Sequence, residues 1–363
     1  RERPALTAAP APVRVLILGT GGMAAHHAEQ YQTIPGVTLV AGIDNNAERL
    51  AAFNDRFGIS KGFKSVDEAL DWGQFDTVSN VTPDPVHHPT TLPMLKAGKH
   101  VMCEKPLALS YKDAAEMRDA AVKAGVVTGV NLTYRNGAGL QEAARLVRAG
   151  AIGKVRHFEA SYLQSWLVQP AWGEWSKESQ WLWRLSTKHG SKGVLGDVGI
   201  HILDFLTYAA GETVDEVACR LKTFHKAPGD RIGEYVLDAN DSAVMSLGLG
   251  GGAIGTVHAT RMATGHLNDL RLRLYGTEGG MEVQFERAVS RLRLCTRPHL
   301  EKADWTEVTL GTVPTNYDRF IAAVRGGPAM EADFARGAEL QAVLDAAEAS
   351  DAGGGAPLAV QAG

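Results

Sequence analysis

Short apolar runs and amphipathic stretches alternate along the first third of the chain. The runs fall at 13–18, 39–43, 77–81, 100–103 and 126–130. Between them, 23–34, 47–57, 88–97 and 112–124 carry the spacing of helices. Strands that are apolar at every position are buried on both faces, so the pattern predicts a parallel sheet with helices on each side. Such a doubly wound α/β sheet binds its ligand in a crevice at the carboxyl ends of its strands.

After about Asn131 the texture changes. A helical stretch (140–148) leads to a strand (155–162), then to an irregular Trp-rich segment and a helix near 199–210. Strand-like runs follow from 214 to 310, broken at Gly, Asn and Asp, and 317–324 and 337–350 read as closing helices. This predicts a second, α+β domain on a large, mostly antiparallel open sheet. The expected organisation is a flexible Ala/Pro-rich arm (1–12), a doubly wound domain (13–131), an α+β domain (132–350) and a Gly-rich tail (351–363).

At 363 residues the chain suits two domains better than one. A net charge of -4 with scattered Lys and Arg gives no footprint for nucleic acid or an anionic membrane. No apolar stretch approaches the roughly 20 residues needed to span a bilayer. Cys103, Cys219 and Cys295 are odd in number and far apart, so they form neither a disulfide framework nor a metal-ligand spacing. A reducing, cytoplasmic location is the expectation, with no metal required. Arg1 is not an initiator Met, so processing or truncation is expected upstream, and a removed export signal stays open.

The segment Val15–Ala24 is a strand running into a glycine-rich turn and a helix. Gly19, Gly21 and Ala24 occupy the G-x-G-x-x-G/A positions. Gly19 permits the tight turn, Gly21 lets the backbone approach a pyrophosphate, and Ala24 lets helix and strand pack closely. The helix start offers free N–H groups and a positive dipole end to phosphates. Asp44 stands 20 residues beyond Ala24, where a carboxylate accepts both ribose hydroxyls and repels a 2′-phosphate. Asn45 and Asn46 follow it, with no arginine directly after, so NAD is expected ahead of NADP. Thr20, Gly22, Met23 and Asn45 complete the cofactor side of this turn.

Two further motifs are Glu104-Lys105-Pro106 at a strand end and Asp197-Val198-Gly199-Ile200-His201. With the glycine turn, they resemble the glucose–fructose oxidoreductase, inositol dehydrogenase and rhizopine-catabolism (Gfo/Idh/MocA) family, over 13 to about 350. The resemblance takes in Thr82-Pro83-Asp84, His87, Asn131, Gly153-Lys154-Val155 and Tyr275–Gly279; it departs at Gly190-Ser191-Lys192-Gly193, where the family usually has a glycine run. It implies a hydride transfer between nicotinamide and a hydroxyl or keto carbon of a sugar, sugar derivative or inositol. It also implies that Lys105, Asp197 and His201 are catalytic, and that Thr82, Pro83, His87, Glu104, Lys105 and Asn131 serve the cofactor.

The chemistry gives these residues separate reasons. Oxidising an alcohol requires loss of a hydride and of the hydroxyl proton. Asp197 and His201 are four apart, so a helix would set both on one face. An imidazole titrates near neutral pH and suits the proton. Asp197 is expected to hold the substrate hydroxyl or the imidazole. Lys105, beside a nicotinamide that is cationic when oxidised, is expected to have a lowered pKa and to orient the reacting oxygen. The bland alternatives are a Lys-Pro turn and a capping pair. Glu104 and Asp204 read as supporting groups, and His87 and His88, near a helix start, read as structural ahead of functional.

Trp166, Trp172, Trp175, Trp181 and Trp183 fall within 18 residues. Aromatic faces stack on sugar rings, and they also fill loop cores and subunit interfaces. Trp183 and Arg184, just before the aspartate motif, are expected near nicotinamide or substrate, with Tyr162 and Asn131 as further substrate-side candidates. The competing functions are an NAD-dependent glycosidase that oxidises its sugar only transiently, and a regulator that binds the dinucleotide without turnover. A homo-oligomer, dimer or tetramer, is expected from the open sheet.

Overall fold

The structure is a computed structural model that describes residues 11–361, so the expected arm at 1–12 lies almost wholly outside the described residues. The chain divides into two compact units. The first takes in the residues up to Ala108, Lys112–Asn131 and Thr315–Gly337. It runs β1 (Val13–Leu18), α1 (Gly22–Gln32), β2 (Val37–Ile43), α2 (Ala47–Phe57), β3 (Lys61–Phe63), α3 (Val66–Trp72), β4 (Thr77–Asn80), α4 (His87–Lys96), β5 (His100–Cys103), α5 (Tyr111–Ala124) and β6 (Thr128–Val130). The six strands are all parallel in the order β3-β2-β1-β4-β5-β6. The order reverses between β1 and β4, which opens a crevice beyond their carboxyl ends. Val15, Leu16 and Ile17 of β1 are wholly buried, as central strands of a covered sheet require.

The sequence pattern lacked β3 and α3. Lys61-Gly62-Phe63 is too short and polar to signal a strand, and α3 spans only seven residues. Helix Asn316–Val324 also folds with this unit. It starts at a capping box between Thr315 and Asp318, and sets the Tyr317 ring edge-on to His27 and Tyr31, at 5.0 and 5.2 Å between centroids.

The second unit takes in Leu132–Pro314 and residues from Ala338 onward. Its helices are α6 (Ala138–Arg148), a single turn α7 (Ser179–Leu182), α8 (Ile200–Ala210), which a π turn at Leu195–Gly199 precedes, and most of the expected closing helix, Phe334–Ala352. Its strands are β7 (Val155–Leu163), β8 (Val214–Lys222), a small ribbon of β9 (Arg231–Ile232) and β10 (Tyr235–Val236), β11 (Ser242–Leu249), β12 (Ile254–Thr260), β13 (Asp269–Gly276), β14 (Gly279–Glu286), β15 (Val289–Thr296), β16 (Thr306–Glu307) and β17 (Leu358–Ala359).

All but the ribbon form one nine-stranded sheet, ordered β16-β15-β14-β13-β7-β12-β11-β8-β17. Every pair is antiparallel except β7 with β12. Alternation decides the faces: Ala243, Met245 and Leu247 of β11 point inward to a layer holding α6 and α8, while Val244 and Ser246 point outward. The outward face stays open, with Val244 57% and Ile254 64% exposed. The expected tail supplies β17, which pairs with β8.

Candidate active site

In the first unit, Gly19 has φ +85°, and a Cβ there would lie 3.0 Å from the backbone of Val81 and Thr82, so no larger residue fits without a shift. A Cβ at Gly21 or Gly22 would meet nothing within 4 Å, which leaves the turn open on its ligand side. Gly21 caps α1 without a side-chain bond, and no acidic residue occupies the first turn, so nothing anionic competes for its amide groups. Met23 is half exposed beside the turn, and Ala24 is buried against it. These features fit a dinucleotide pyrophosphate.

Asp44 directly follows β2 and accepts hydrogen bonds from the Thr20 amide and Oγ1, both at 2.8 Å, and from the Asn46 amide at 2.8 Å. Arg49, in the first turns of α2, closes on it with Nε at 2.9 Å and Nη2 at 2.6 Å. Burial alone would raise the Asp44 pKa, but Arg49 and the amide donors outweigh it and hold it at about 2. The sequence reading saw no arginine directly after Asp44. Arg49 comes within reach because Asn46 caps α2 through the Arg49 amide and turns the chain back. Asn45 lies exposed beside this carboxylate.

Glu104 and Lys105 leave β5 at the same sheet edge. Glu104 is buried, and its Oε1 accepts from His27 Nε2 at 2.8 Å and Asn131 Nδ2 at 2.7 Å. Its Oε2 accepts from the Lys105 amide at 3.2 Å. Burial pushes the Glu104 pKa up, yet His27, Asn131 and the nearby Lys105 charge bring it to about 2. His27 is wholly buried and reaches Ser79 Oγ at 2.8 Å through Nδ1. Asn131 also donates to the Tyr317 hydroxyl at 3.1 Å. Its side chain is thus engaged inside the unit, in a bracket behind Glu104. His27 and Tyr317 were absent from the sequence reading, since a helical histidine and an aromatic 290 residues apart share no pattern in the sequence.

Thr82 folds its amide and hydroxyl onto Asn80 Oδ1, at 3.1 and 2.7 Å, and Pro83 precedes a short turn into α4. His87 is buried between two carbonyls, with Nδ1 2.7 Å from Pro106 O and Nε2 2.8 Å from Thr82 O. Carbonyls only accept, so both ring nitrogens carry protons. Burial pulls the His87 pKa down, but Cys103, Asp84 and the Pro106 carbonyl raise it to about 10. The cation ties the loop after β4 to the Lys105–Pro106 segment, whose peptide is cis.

In the second unit, Asp197 lies in the π turn and His201 in the first turn of α8. An α-helix would set residues four apart on one face, whereas the π turn inserts a residue and changes their phase. Asp197 Oδ2 accepts from Arg261 Nη2 at 2.9 Å, with Arg184 Nε at 3.8 Å. The His201 ring stands edge-on to Tyr134, 5.0 Å between centroids, and 6.3 Å from Tyr162.

The Tyr134 hydroxyl bonds that of Tyr162, which donates to Asn268 Oδ1 at 2.7 Å; Gln164 Nε2 donates to the Tyr162 oxygen at 3.2 Å. Burial lifts the Tyr134 pKa to about 12, with the Asp197 charge adding to it, and lifts that of Tyr162 further. One side of the unit therefore gathers a carboxylate, an imidazole and a chain of neutral hydroxyls. Below them Arg135 grips Asp204 bidentately, at 2.9 and 2.6 Å, and fixes α8 from beneath.

The tryptophans divide. Trp166 is buried with Leu167, Leu182, Leu185 and Leu237, and Trp172, Trp175 and Trp181 pack against that cluster. These four form a loop core. Trp183 is half-buried, and the Arg184 guanidinium lies 4.6 Å from its ring centre while Nη1 donates to the Gln180 carbonyl at 2.7 Å. Two His/carboxylate groups bring ligand atoms within 4.8 Å of one another: His88, Asp113 and Glu116, and His266, Asp269 and Glu286. In the second, Arg271 and Gln284 already bond Asp269, which favours an ion-pair network over a cation site. Among the described residues, no helix is long and apolar enough to cross a membrane.

Comparison with known proteins agrees with this geometry. A model of an oxidoreductase family with an NAD-binding Rossmann fold matches residues 13–132, and a model of the GFO/IDH/MocA C-terminal domain matches 140–282. Levoglucosan dehydrogenase of Pseudarthrobacter phenanthrenivorans is 28% identical over 297 residues, covering 76% of this chain and 74% of that protein. The 1,5-anhydro-D-fructose reductase of Ensifer adhaerens is 31% identical over 249 residues, 68% of each chain. A solved structure of levoglucosan dehydrogenase in complex with NADH superposes with a TM-score of 0.86 at 25% identity, covering 96% of this chain and 99% of the other.

Proposed function

We infer that this chain, which belongs to the GFO/IDH/MocA oxidoreductase family, is an NAD-dependent enzyme of the sugar and inositol dehydrogenase type. From that premise we propose that it oxidises a secondary hydroxyl of a pyranose, anhydro-sugar or cyclitol to the ketone, and reduces the ketone in reverse. Bound NAD supplies the hydride acceptor, and the residues of the glycine turn and Asp44 would hold it.

The chain's own work is orientation and proton movement. His201 takes the hydroxyl proton as the C–H hydride departs, leaving a C=O bond, and returns the proton when the reaction runs backward. Asp197, fixed by arginines, accepts a hydrogen bond from the substrate and aims its hydroxyl. Lys105 donates to the oxygen of the reacting carbon and stabilises negative charge there. Its backbone is held in turn by Glu104, His27 and His87. Thr20, Asn45, Thr82 and His87 frame the cofactor, and Trp183, Arg184 and Tyr162 bound the substrate.

The observation that carries this reading is the His201 ring edge-on to Tyr134, a tyrosine that also lies within electrostatic range of Asp197. A screen of NAD and NADP reduction at 340 nm against levoglucosan, hexoses and inositols tests it. NADH formation with one of these is expected. Glycoside cleavage with no net NADH would instead identify a transient-oxidation glycosidase, and NAD binding without either reaction a regulator.

The open sheet face fits a second copy of the chain. Beside Val244 and Ile254 it carries Glu159, Arg273, Glu282 and Arg293, a mixed-charge ladder able to pair with itself under two-fold symmetry. Light-scattering mass of a dimer or tetramer is the expected result. The three buried free thiols suit a reducing, cytoplasmic setting.

A further inference from the structure

Arg261 is the largest wholly buried side chain among the described residues. A guanidinium removed from water costs several kcal/mol unless charge and hydrogen bonds replace its hydration. It follows β12 directly, and its amide donates to the Asp241 carbonyl at 3.0 Å, which anchors the backbone. Nη2 then meets Asp197 Oδ2 at 2.9 Å, Nη1 donates to the Arg184 carbonyl at 3.1 Å, and the guanidinium lies 5.0 Å from the centre of the Trp166 ring. Its Nε has no hydrogen-bond partner among the described residues. Nη2 also reaches the Gly193 carbonyl at 3.4 Å, so the one charged partner that the guanidinium hydrogen-bonds is Asp197.

Arg261 and, further off, Arg184 meet the same oxygen of Asp197, and Tyr134 and Tyr162 lie within electrostatic range of it. Those facing Arg261 are Asp197, Arg184 and Asp241, and Asp241 is already paired with Lys226 at 2.6 Å. Thus the positive side of the cluster is aimed at Asp197. Two guanidiniums on one carboxylate oxygen disfavour its protonated form.

We propose that Arg261 is the positioning residue of this centre: it pins Asp197 as a fixed carboxylate, confines it to orienting the substrate hydroxyl, and leaves proton transfer to His201. The inference rests on the roles assigned above to Asp197 and His201. Arg261 itself touches no reacting atom. Its backbone anchor, the Trp166 face and the π turn together set where the carboxylate stands.

Arg261→Met and Arg261→Lys test this in the full chain, with NAD and levoglucosan as probes between pH 5.5 and 10. Arg261→Met is expected to lower kcat by about 100-fold with NAD affinity within about threefold, and to move the acidic limb of the kcat profile to higher pH by about one unit. Arg261→Lys should recover part of kcat and return the limb, since it restores the charge. A folded Arg261→Met enzyme whose limb stays in place, or a lysine variant no better than methionine, overturns the proposal.

A second readout does not depend on turnover. Infrared difference spectra of wild type against Asp197→Asn isolate that carboxylate, and the same pair is compared in the Arg261→Met background, or in Arg261→Gln if the methionine variant does not fold. Protonation at higher pH once Arg261 is replaced supports the proposal, and an unmoved band refutes it. Should the wild-type enzyme leave every sugar and inositol untouched, the proposed function fails, and the spectra alone then decide the role of Arg261.

Discussion

Arg49 closes both arms of its guanidinium on the carboxylate of Asp44, where the second strand of the parallel sheet ends. A ribose that bonds Asp44 must therefore share or displace an arginine that is half exposed and free to swing aside. Asp44→Ala should weaken NAD binding by about 10- to 100-fold, the worth of a charged hydrogen bond pair, and weaken NADP less. It would also leave the Arg49 charge without its carboxylate beside the ribose position. Fluorescence titration with both coenzymes checks this; equal losses would remove Asp44 from ribose recognition.

Lys105→Ala should cut kcat by at least about 1000-fold while NAD affinity changes by less than about threefold. The asymmetry is the informative part, because Glu104 accepts from the Lys105 backbone amide, which the substitution leaves in place. The backbone that faces the cofactor is expected to survive the substitution. Unchanged turnover would take Lys105 out of the chemistry.

His27→Ala leaves the Glu104 carboxylate buried with one donor fewer and a cavity beside Tyr317. A loss of about 2–4 kcal/mol is expected, read from urea unfolding midpoints. His27→Gln, which keeps a donor toward Glu104, should lose less. Equal losses would mean that ring packing, not the hydrogen bond, is what counts.

His87 gives a pH signature. Its folded pKa, about 10, is raised above the ordinary imidazole value of 6.5. The linked stability is fully present below about pH 6.5 and is lost as pH rises through 10. The gap in melting temperature between wild type and His87→Gln should accordingly be widest at pH 6 and narrow toward pH 10. A gap that does not vary with pH would show the ring to be neutral in the folded protein.

The parallel sheet, its glycine turn and the antiparallel second half were legible because each writes a periodic or local signal: unbroken apolar strands, a G-x-G-x-x-A turn, alternation along β11. What escaped was non-local or too short. Lys61-Gly62-Phe63 has no pattern of its own. Nothing in the helical spacing of 316–324 says that Tyr317 would lie against His27. Arg261 sits at the end of a strand as any surface arginine might, and only the tertiary fold brings it 2.9 Å from Asp197. Arg49 was hidden by counting along the chain instead of around a capped helix turn. The tryptophans left two readings open, since their density does not distinguish a loop core from a sugar platform, and the fold puts four of them in a loop core.

The turn at Leu195–Gly199 makes the length of that stretch matter as much as its letters. Each residue of an ordinary helix advances the chain by roughly 100° about the axis. Deleting one residue there would let the wide turn tighten while α8 stayed seated through Arg135 and Asp204. Everything upstream would rotate, and residue 197 would sweep away from its arginine as the imidazole kept its place. Such a shortened chain would strand the buried Arg261 charge, melt lower and catalyse nothing.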